Sequence, residues 1–305
     1  MQIYEYGKDI LPMGGCALAI GVFDGVHLAH RALIYKAAEE AATLSLPVGV
    51  FTFSPKSGIK PESACIYTLE QRLSIIESLG VDFCVVANFE DIRGLDAVDF
   101  CHDVLYKSLN CKICVVGYNF RFGRGATADA DALKDIMSGY AAKTVICPQV
   151  KILGESVSST AIRHYLISGD TARAGAMLGD DYYIEGYVRH GRGVGGSRLG
   201  APTANLSHPE GTIIPHLGVY AARVEIDGKS YPAAVNLGVC PTFEERAPHS
   251  EAYIIGYSGD LYGKKIKLSF VSFLRDERCF DSEEELRLQI EVDKNTVIKE
   301  FERTK

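Results

Sequence analysis

Two histidines three residues apart close the run Gly21-Val-Phe-Asp-Gly-Val-His27-Leu-Ala-His30, where an apolar stretch gives way to a helical one. Gly21 and Gly25 permit a tight turn there. The helix that follows offers free N–H groups and a positive dipole end to an anion. His27 and His30 could both donate to phosphate oxygens. A metal pair, or polar residues that merely open a helix, are the other readings of this spacing. A metal would want a third ligand, and none stands nearby in sequence. The segment is not a P-loop, because G-x-x-x-x-G-K-[ST] is absent.

A second chemical signal lies near the middle of the chain. Residues 186–200 hold six glycines and three arginines, Arg189, Arg192 and Arg198, a basic loop suited to wrapping phosphates. A solvated surface turn is the plain alternative, but it does not account for the abrupt Pro202-Thr-Ala-Asn205 that follows. A hydroxyl and an amide at that point suit phosphoryl transfer, which depends on positioning and charge neutralisation. Ser158-Ser-Thr-Ala-Ile-Arg163 reads as a helix N-cap with a surface arginine, and a capped N-terminus is itself an anion site. Glu251, by its spacing, is an ordinary exposed strand glutamate.

Nine cysteines, an odd number, argue against a complete disulfide framework. Cys111 and Cys114 have C-x-x-C spacing without the second pair that a four-cysteine zinc site needs. On a strand, positions three apart face opposite sides, so the pair is read as structural.

The elements that must position these groups fall into two textures. Apolar runs at 17–23, 48–53, 82–89, 112–120 and 143–148 have the length and β-branched content of buried strands. Residues 30–44 and 69–80 between them carry apolar residues at helical spacing, the second ending in Gly80 as a C-cap. Strand–helix–strand alternation implies a parallel, Rossmann-like α/β domain over residues 1–180. From about residue 182 the runs alternate at strand length. Asp227-Gly228 marks a hairpin, and one terminal helix at 282–303 opens on Ser282 with Glu285 at capping-box spacing. Residues 181–305 are therefore expected to form a small antiparallel β-barrel with a C-terminal helix.

Composition bounds the partners. Hydrophobic residues make up 47% and the formal net charge is −7, which fits a packed globular chain and not a sequence-independent nucleic-acid binder. No apolar window reaches the length of a membrane span, and the first residues lack a secretory pattern. The expectation is a soluble, cytoplasmic protein with no membrane or nucleic-acid partner.

His27-Leu-Ala-His30 is similar to the H-x-G-H signature of nucleotidyltransferases. With GVFDGVH before it, the run resembles the N-terminal domain of the bacterial bifunctional riboflavin kinase/FAD synthetase (FMN adenylyltransferase) family. Gly117-Tyr-Asn-Phe-Arg-Phe-Gly123 and Ser158–Arg163 match in the same order. So do Gly186–Gly191, Leu199–Asn205, Asn236-Leu-Gly, Pro241-Thr-Phe243 and Asp260–Gly263. The resemblance covers nearly the whole chain.

It implies that riboflavin is phosphorylated to FMN with ATP and Mg²⁺, and that FMN is then adenylylated to FAD with release of pyrophosphate. Glu251 would be the kinase base, and Thr203 and Asn205 would hold Mg-ATP, Thr203 at the metal. Gly191, Arg198, Gly200 and Pro202 would belong to the same nucleotide site. His27 and His30 would stabilise the pyrophosphate, with Gly21, Phe23, Asp24 and Gly25 forming the loop before them. Ser159, Thr160 and Arg163 would contact phosphates, and Asn119 and Phe120 would border the nucleotide and flavin.

Four departures stand out. Ala29 replaces the family glycine, Lys56 stands where relatives have His, Ala128 replaces Gly, and Tyr253 stands where many have His. The first three lie near the presumed adenylylation site, and Ala29 and Lys56 favour a slower adenylylation step. The alternatives are a kinase with a weakened first domain and a flavin-binding regulator, and the intact PTAN and Glu251 count against the second.

Overall fold

Short apolar runs set the first sheet, as alternation of buried strands with helices requires. The computed structural model describes residues 1–9, 14–54, 64–189, 203–239 and 248–303. Strands β1 (Gln2–Glu5), β2 (Cys16–Ile20), β3 (Val48–Phe53), β4 (Phe83–Ala87), β5 (Cys111–Gly117) and β6 (Lys143–Cys147) lie in the order β1-β4-β3-β2-β5-β6. Every pairing is parallel. β2 is buried at all five positions, as a strand covered on both faces must be. Cys16, Leu18 and Ile20 enter one core, and Ala17 and Ala19 enter the other.

Helix α1 (Leu28–Ala42) covers the second core with Leu33, Ile34, Ala37 and Ala41. Helix α2 (Leu69–Ser78) adds Ile76 there. It opens on a reciprocal capping box between Thr68 and Gln71 and stops before Gly80, which takes φ +79° as the expected C-cap glycine. Helix α3 (Ala130–Ser138) places Leu133 and Met137 in the opposite core.

The cysteine pair corrects a sequence expectation. Cys111 and Cys114 face the same core, with their sulfurs 3.3 Å apart. Cys16 pairs with Cys111 but Ala17 pairs with Ile113, so Lys112 is an extra residue on β5. This β-bulge resets the alternation, and positions three apart come to share a side. Burial pushes the Cys111 thiol well up, as expected of an inert structural cysteine.

The chain divides into two compact units, the first ending at Ser159 and the second running from Thr160 and taking in residues 60–64 as well. The second begins with helices α4 (Ser159–Ile167), whose first residue closes the first unit, and α5 (Thr171–Leu178). Thr171 Oγ1 donates to Val271 O at 3.2 Å, tying α5 to the barrel that follows. Strands β7 (Tyr182–Tyr187), β8 (Thr203–Ser207), β9 (Gly218–Ile226), β10 (Lys229–Val239), β11 (Pro248–Ile254) and β12 (Lys265–Arg275) form an antiparallel sheet in the order β7-β12-β9-β10-β11-β8.

A bridge between Arg189 and Asn205 brings the two ends together, giving a nearly closed barrel. The β9–β10 hairpin turns at Asp227 and Gly228, both at positive φ, as the sequence predicts. Helix α6 (Glu283–Arg303) buries Val297 against Ala221 and Ala234, and Arg275 at the end of β12 grips its buried Asp293. Among the described residues, no helix is long and apolar enough to cross a membrane.

Candidate active sites

The loop between β2 and α1 is held in a conformation that most side chains avoid. Phe23, Gly25 and Val26 take φ values of +54°, +82° and +41°. For phenylalanine and a β-branched valine such values cost about 1–3 kcal/mol each, so neighbouring contacts must hold them. Phe23 and Val26 are fully buried and supply part of that restraint. The Ile66 N–H donates to Asp24 Oδ1 at 2.9 Å, and the Ser159 hydroxyl donates to Asp24 O at 2.9 Å. Gly21, Phe23, Asp24, Gly25 and Ser159 are thus brought together.

The loop delivers His27 to the N-cap of α1, 4% exposed, where its Nδ1 accepts the His30 N–H. A neutral His27 therefore carries its hydrogen on Nε2. The His27 and His30 rings stack with centroids 3.6 Å apart, and Phe23 lies 4.9 Å from His30. Burial, then His27, then the Arg72 charge hold the His30 imidazole well below its usual range. His30 is thus neutral at physiological pH, and its buried Nδ1 has no hydrogen-bond partner. Ala29 sits in the first turn of α1, which a helix accepts readily.

β2 and β5 are neighbours in the sheet, and the chain leaves β2 to one side and β5 to the other. Such a switch point opens a crevice at the carboxyl ends of the strands, where α/β sheets bind ligands. The loop after β2 holds the histidines. The turn after β5 holds Asn119, which is exposed, and Phe120, whose N–H bonds Gly117 O at 3.0 Å. Phe120 and Phe122 stack at 5.5 Å, and Phe122 meets Phe100 at 5.7 Å. Beside them lies a cavity of about 520 Å³ lined by Phe89, Phe100, Arg93, Arg121 and Arg124 among others. Thr160 and Arg163 fall in the second unit, where Arg163 Nε donates to Ala64 O at 2.8 Å.

The barrel builds its polar cluster by register. Asn205 on β8 pairs with Glu251 on β11, which pairs with Asn236 on β10. Directly paired residues share a sheet face, so amide, carboxylate and amide form one row across three strands. Their chain neighbours Ala204, Leu206, Ser250, Ala252, Val235 and Leu237 are buried on the opposite face. The row itself is half-buried. Thr203 pairs with Tyr253 in the adjacent row, though its side chain lies outside the described residues. Gly191, Arg198, Gly200, Pro202 and Lys56 also lie outside them.

Two participants escape the sequence reading. Asn236 Nδ2 donates to Glu277 Oε1 at 3.2 Å, and the glycine at 238 leaves the space that the Glu277 carboxylate fills. No short motif flags Glu277, because it meets Asn236 across 41 positions. Arg72 is the other: it donates to Val22 O at 2.8 Å and to Phe53 O at 3.1 Å. Its signal was present, since Leu69, Arg72 and Ile76 repeat at helical spacing and put a charge on the apolar stripe of α2.

Residues 178–301 match the family model for riboflavin kinase, and residues 12–161 match that for FAD synthetase. The bifunctional riboflavin kinase/FMN adenylyltransferase of Escherichia coli K12 is 34% identical over 300 residues, covering 96% of this chain and 95% of its own. That of Bacillus subtilis 168 is 32% identical over 293 residues, covering 93% and 92%. A crystal structure from Streptococcus pneumoniae, described as a macrolide-efflux protein, is 28% identical and superposes with a TM-score of 0.87 over 97% of this chain and 99% of its own.

Proposed function

Because the chain belongs to the bifunctional riboflavin kinase/FMN adenylyltransferase family, we propose that its second unit phosphorylates riboflavin and its first adenylylates the FMN so formed. The chain is a transferase. The observation that carries the division of labour is that the histidine loop lies at a switch point of the first unit's sheet and the Asn205–Glu251 row on the barrel of the second, although Thr160 and Arg163 group with the second. Residues 1–180 and 181–305 are the functional domains in this reading, with α5 serving as a buttress of the second.

In the kinase step, Glu251 accepts the proton of the riboflavin 5′-hydroxyl as that oxygen attacks the γ-phosphorus of ATP, and ADP leaves. Asn205 and the Thr203 hydroxyl orient the nucleotide, with Gly191, Arg198, Gly200 and Pro202 around its phosphates. The oxygen donors of this row suit Mg²⁺, which binds through few protein ligands together with phosphates. In this reading the ion arrives with ATP and is steadied by Thr203. Bound there, Mg²⁺ supplies neutralisation of the phosphate charge.

In the second step, the FMN phosphate attacks the α-phosphorus of a second ATP and pyrophosphate leaves. His27 donates from Nε2 to the departing charge, and neutral His30 stacks against it and keeps the ring in place. The α1 N-terminus adds its own donors. The cavity beside Phe100 has aromatic walls for an isoalloxazine ring and arginines for a phosphate, and Asn119 and Phe120 border the nucleotide and flavin in this reading. Ser159, which bonds the loop at Asp24 O, adds a phosphate contact from the first unit itself. The reading places the protein in the cytoplasm, where its thiols stay reduced.

Incubation with riboflavin, ATP and Mg²⁺ should give FMN with ADP, then FAD with pyrophosphate, when flavins and phosphates are separated over time. Absence of both flavin products would sink the proposal.

A further inference from the structure

Arg72 is 2% exposed, yet among the described residues its guanidinium is hydrogen-bonded to two carbonyl oxygens and to no carboxylate, with the Asp24 charge acting on it from nearby, and its Nε has no hydrogen-bond partner. Burying a cation is costly because burial strips its hydration, and here two carbonyl bonds and the nearby Asp24 charge offset that cost. The two acceptors are informative. Val22 lies in the loop just after β2 and Phe53 ends β3, so one guanidinium joins the carboxyl ends of two adjacent strands. Val22 is immediately followed by Phe23, the first residue forced to positive φ. Thr52 Oγ1 donates to the same Val22 oxygen at 2.8 Å, so Val22 O is gripped from two sides. Anchoring a carbonyl needs only a neutral donor. A guanidinium adds a permanent positive charge beneath a loop whose ligands carry phosphates.

We infer that Arg72 is a positioning residue for adenylyl transfer, clamping the strained Gly21–His27 loop and holding fixed positive charge behind the phosphate site. The inference rests on the adenylyltransferase reading of the first unit. Geometry and charge are separable, because a lysine at this position keeps the charge but cannot span both carbonyls with a planar fork.

The test compares the full-length wild type with Arg72→Met and Arg72→Lys, measuring FMN adenylylation and riboflavin phosphorylation in the same preparations. Arg72→Met should lower kcat/KM for adenylylation by about 10²-fold, the size expected for losing a preorganised electrostatic group, with the kinase reaction unchanged. Arg72→Lys should return the KM for ATP towards the wild-type value and leave kcat depressed. Adenylylation at wild-type rates by Arg72→Met would overturn the inference. A lysine variant that recovers both constants would refute the clamp, and one as poor in KM as methionine would refute the role of charge. Should Arg72→Met fail to fold, seen as loss of a thermal transition, the split between kcat and KM in Arg72→Lys decides. A wild type that phosphorylates riboflavin but never adenylylates FMN would sink the underlying reading, and the inference with it.

Discussion

The Gly21–His27 loop places Phe23, Gly25 and Val26 at positive φ, whereas Asn205, Glu251 and Asn236 sit on strands with ordinary backbone. The first site is shaped against local preference and depends on contacts brought from β3, α2 and the start of α4. The second is shaped by the hydrogen-bond ladder itself, which aligns its side chains without strain. A site of the first kind is vulnerable to changes that never touch a ligand. A site of the second kind is vulnerable mainly to changes in the row and in its register.

The largest effect expected is at the barrel row. Glu251→Gln keeps the shape and removes the base, so FMN formation should fall by about 10²–10⁴-fold while supplied FMN is still converted to FAD. A parallel loss of both reactions in a folded chain would end the contrast between the sites. His27→Ala should do the converse, cutting adenylylation by about 10²–10³-fold with normal riboflavin phosphorylation. Product ratios from one chromatographic run report both.

Acid should expose a liability in the barrel that is independent of its candidate kinase row. Burial, then the neighbouring His249, lowers the His208 pKa from the usual 6.5 to about 4. The unfolded chain therefore takes up a proton that the native state refuses. Stability is complete above the unfolded pKa of 6.5 and drains away as pH falls towards 4, by about 3 kcal/mol in all. Denaturant melts of the second unit at pH 7 and pH 4.5 should show the loss, and His208→Gln should flatten it. A pH-independent midpoint in the wild type would contradict the assignment.

Fragments sharpen the comparison further. Residues 160–305 should fold and phosphorylate riboflavin. Residues 182–305, which lack the α5 buttress, should keep the activity and melt a few degrees lower. An inactive 160–305 fragment beside an active full chain would show that the kinase site borrows from the first unit. The smallest effect belongs to Ala29→Gly. Removing one methyl from the first turn of α1 should raise the adenylylation rate a few-fold and leave the kinase unmoved, and no change would mean that the phosphates clear the methyl.

How far the sequence carries depends on the range of the interaction. β3 occupies the residues its apolar run predicts, and Gly80, Asp227-Gly228 and Ser282 act at the turns and caps expected of them, because those signals are local. β1 went unread. It is a four-residue edge strand with mostly exposed positions, too short and too polar for alternation to show. The Cys111–Cys114 geometry was misread because the bulge at Lys112 is a property of two paired strands and leaves no mark on one. At the candidate sites, the loop's glycines and histidines stand in one contiguous run, so the sequence alone singles it out. Glu251 is not singled out, because its significance lies in facing Asn205 across 46 positions, a relation that spacing alone does not encode.

The seam of the barrel has a practical consequence. Asn205 uses its side chain in the candidate kinase row while its carbonyl accepts the Arg189 N–H at 3.0 Å, the bridge that joins the two ends of the sheet. Residues 190–202, the glycine- and arginine-rich stretch proposed to meet ATP, run between those two partners. The Arg189 amide proton is therefore a built-in gauge of occupancy. Its exchange with deuterated solvent should slow when nucleotide draws the seam tight, and the same amide would clock how often the barrel breathes when empty.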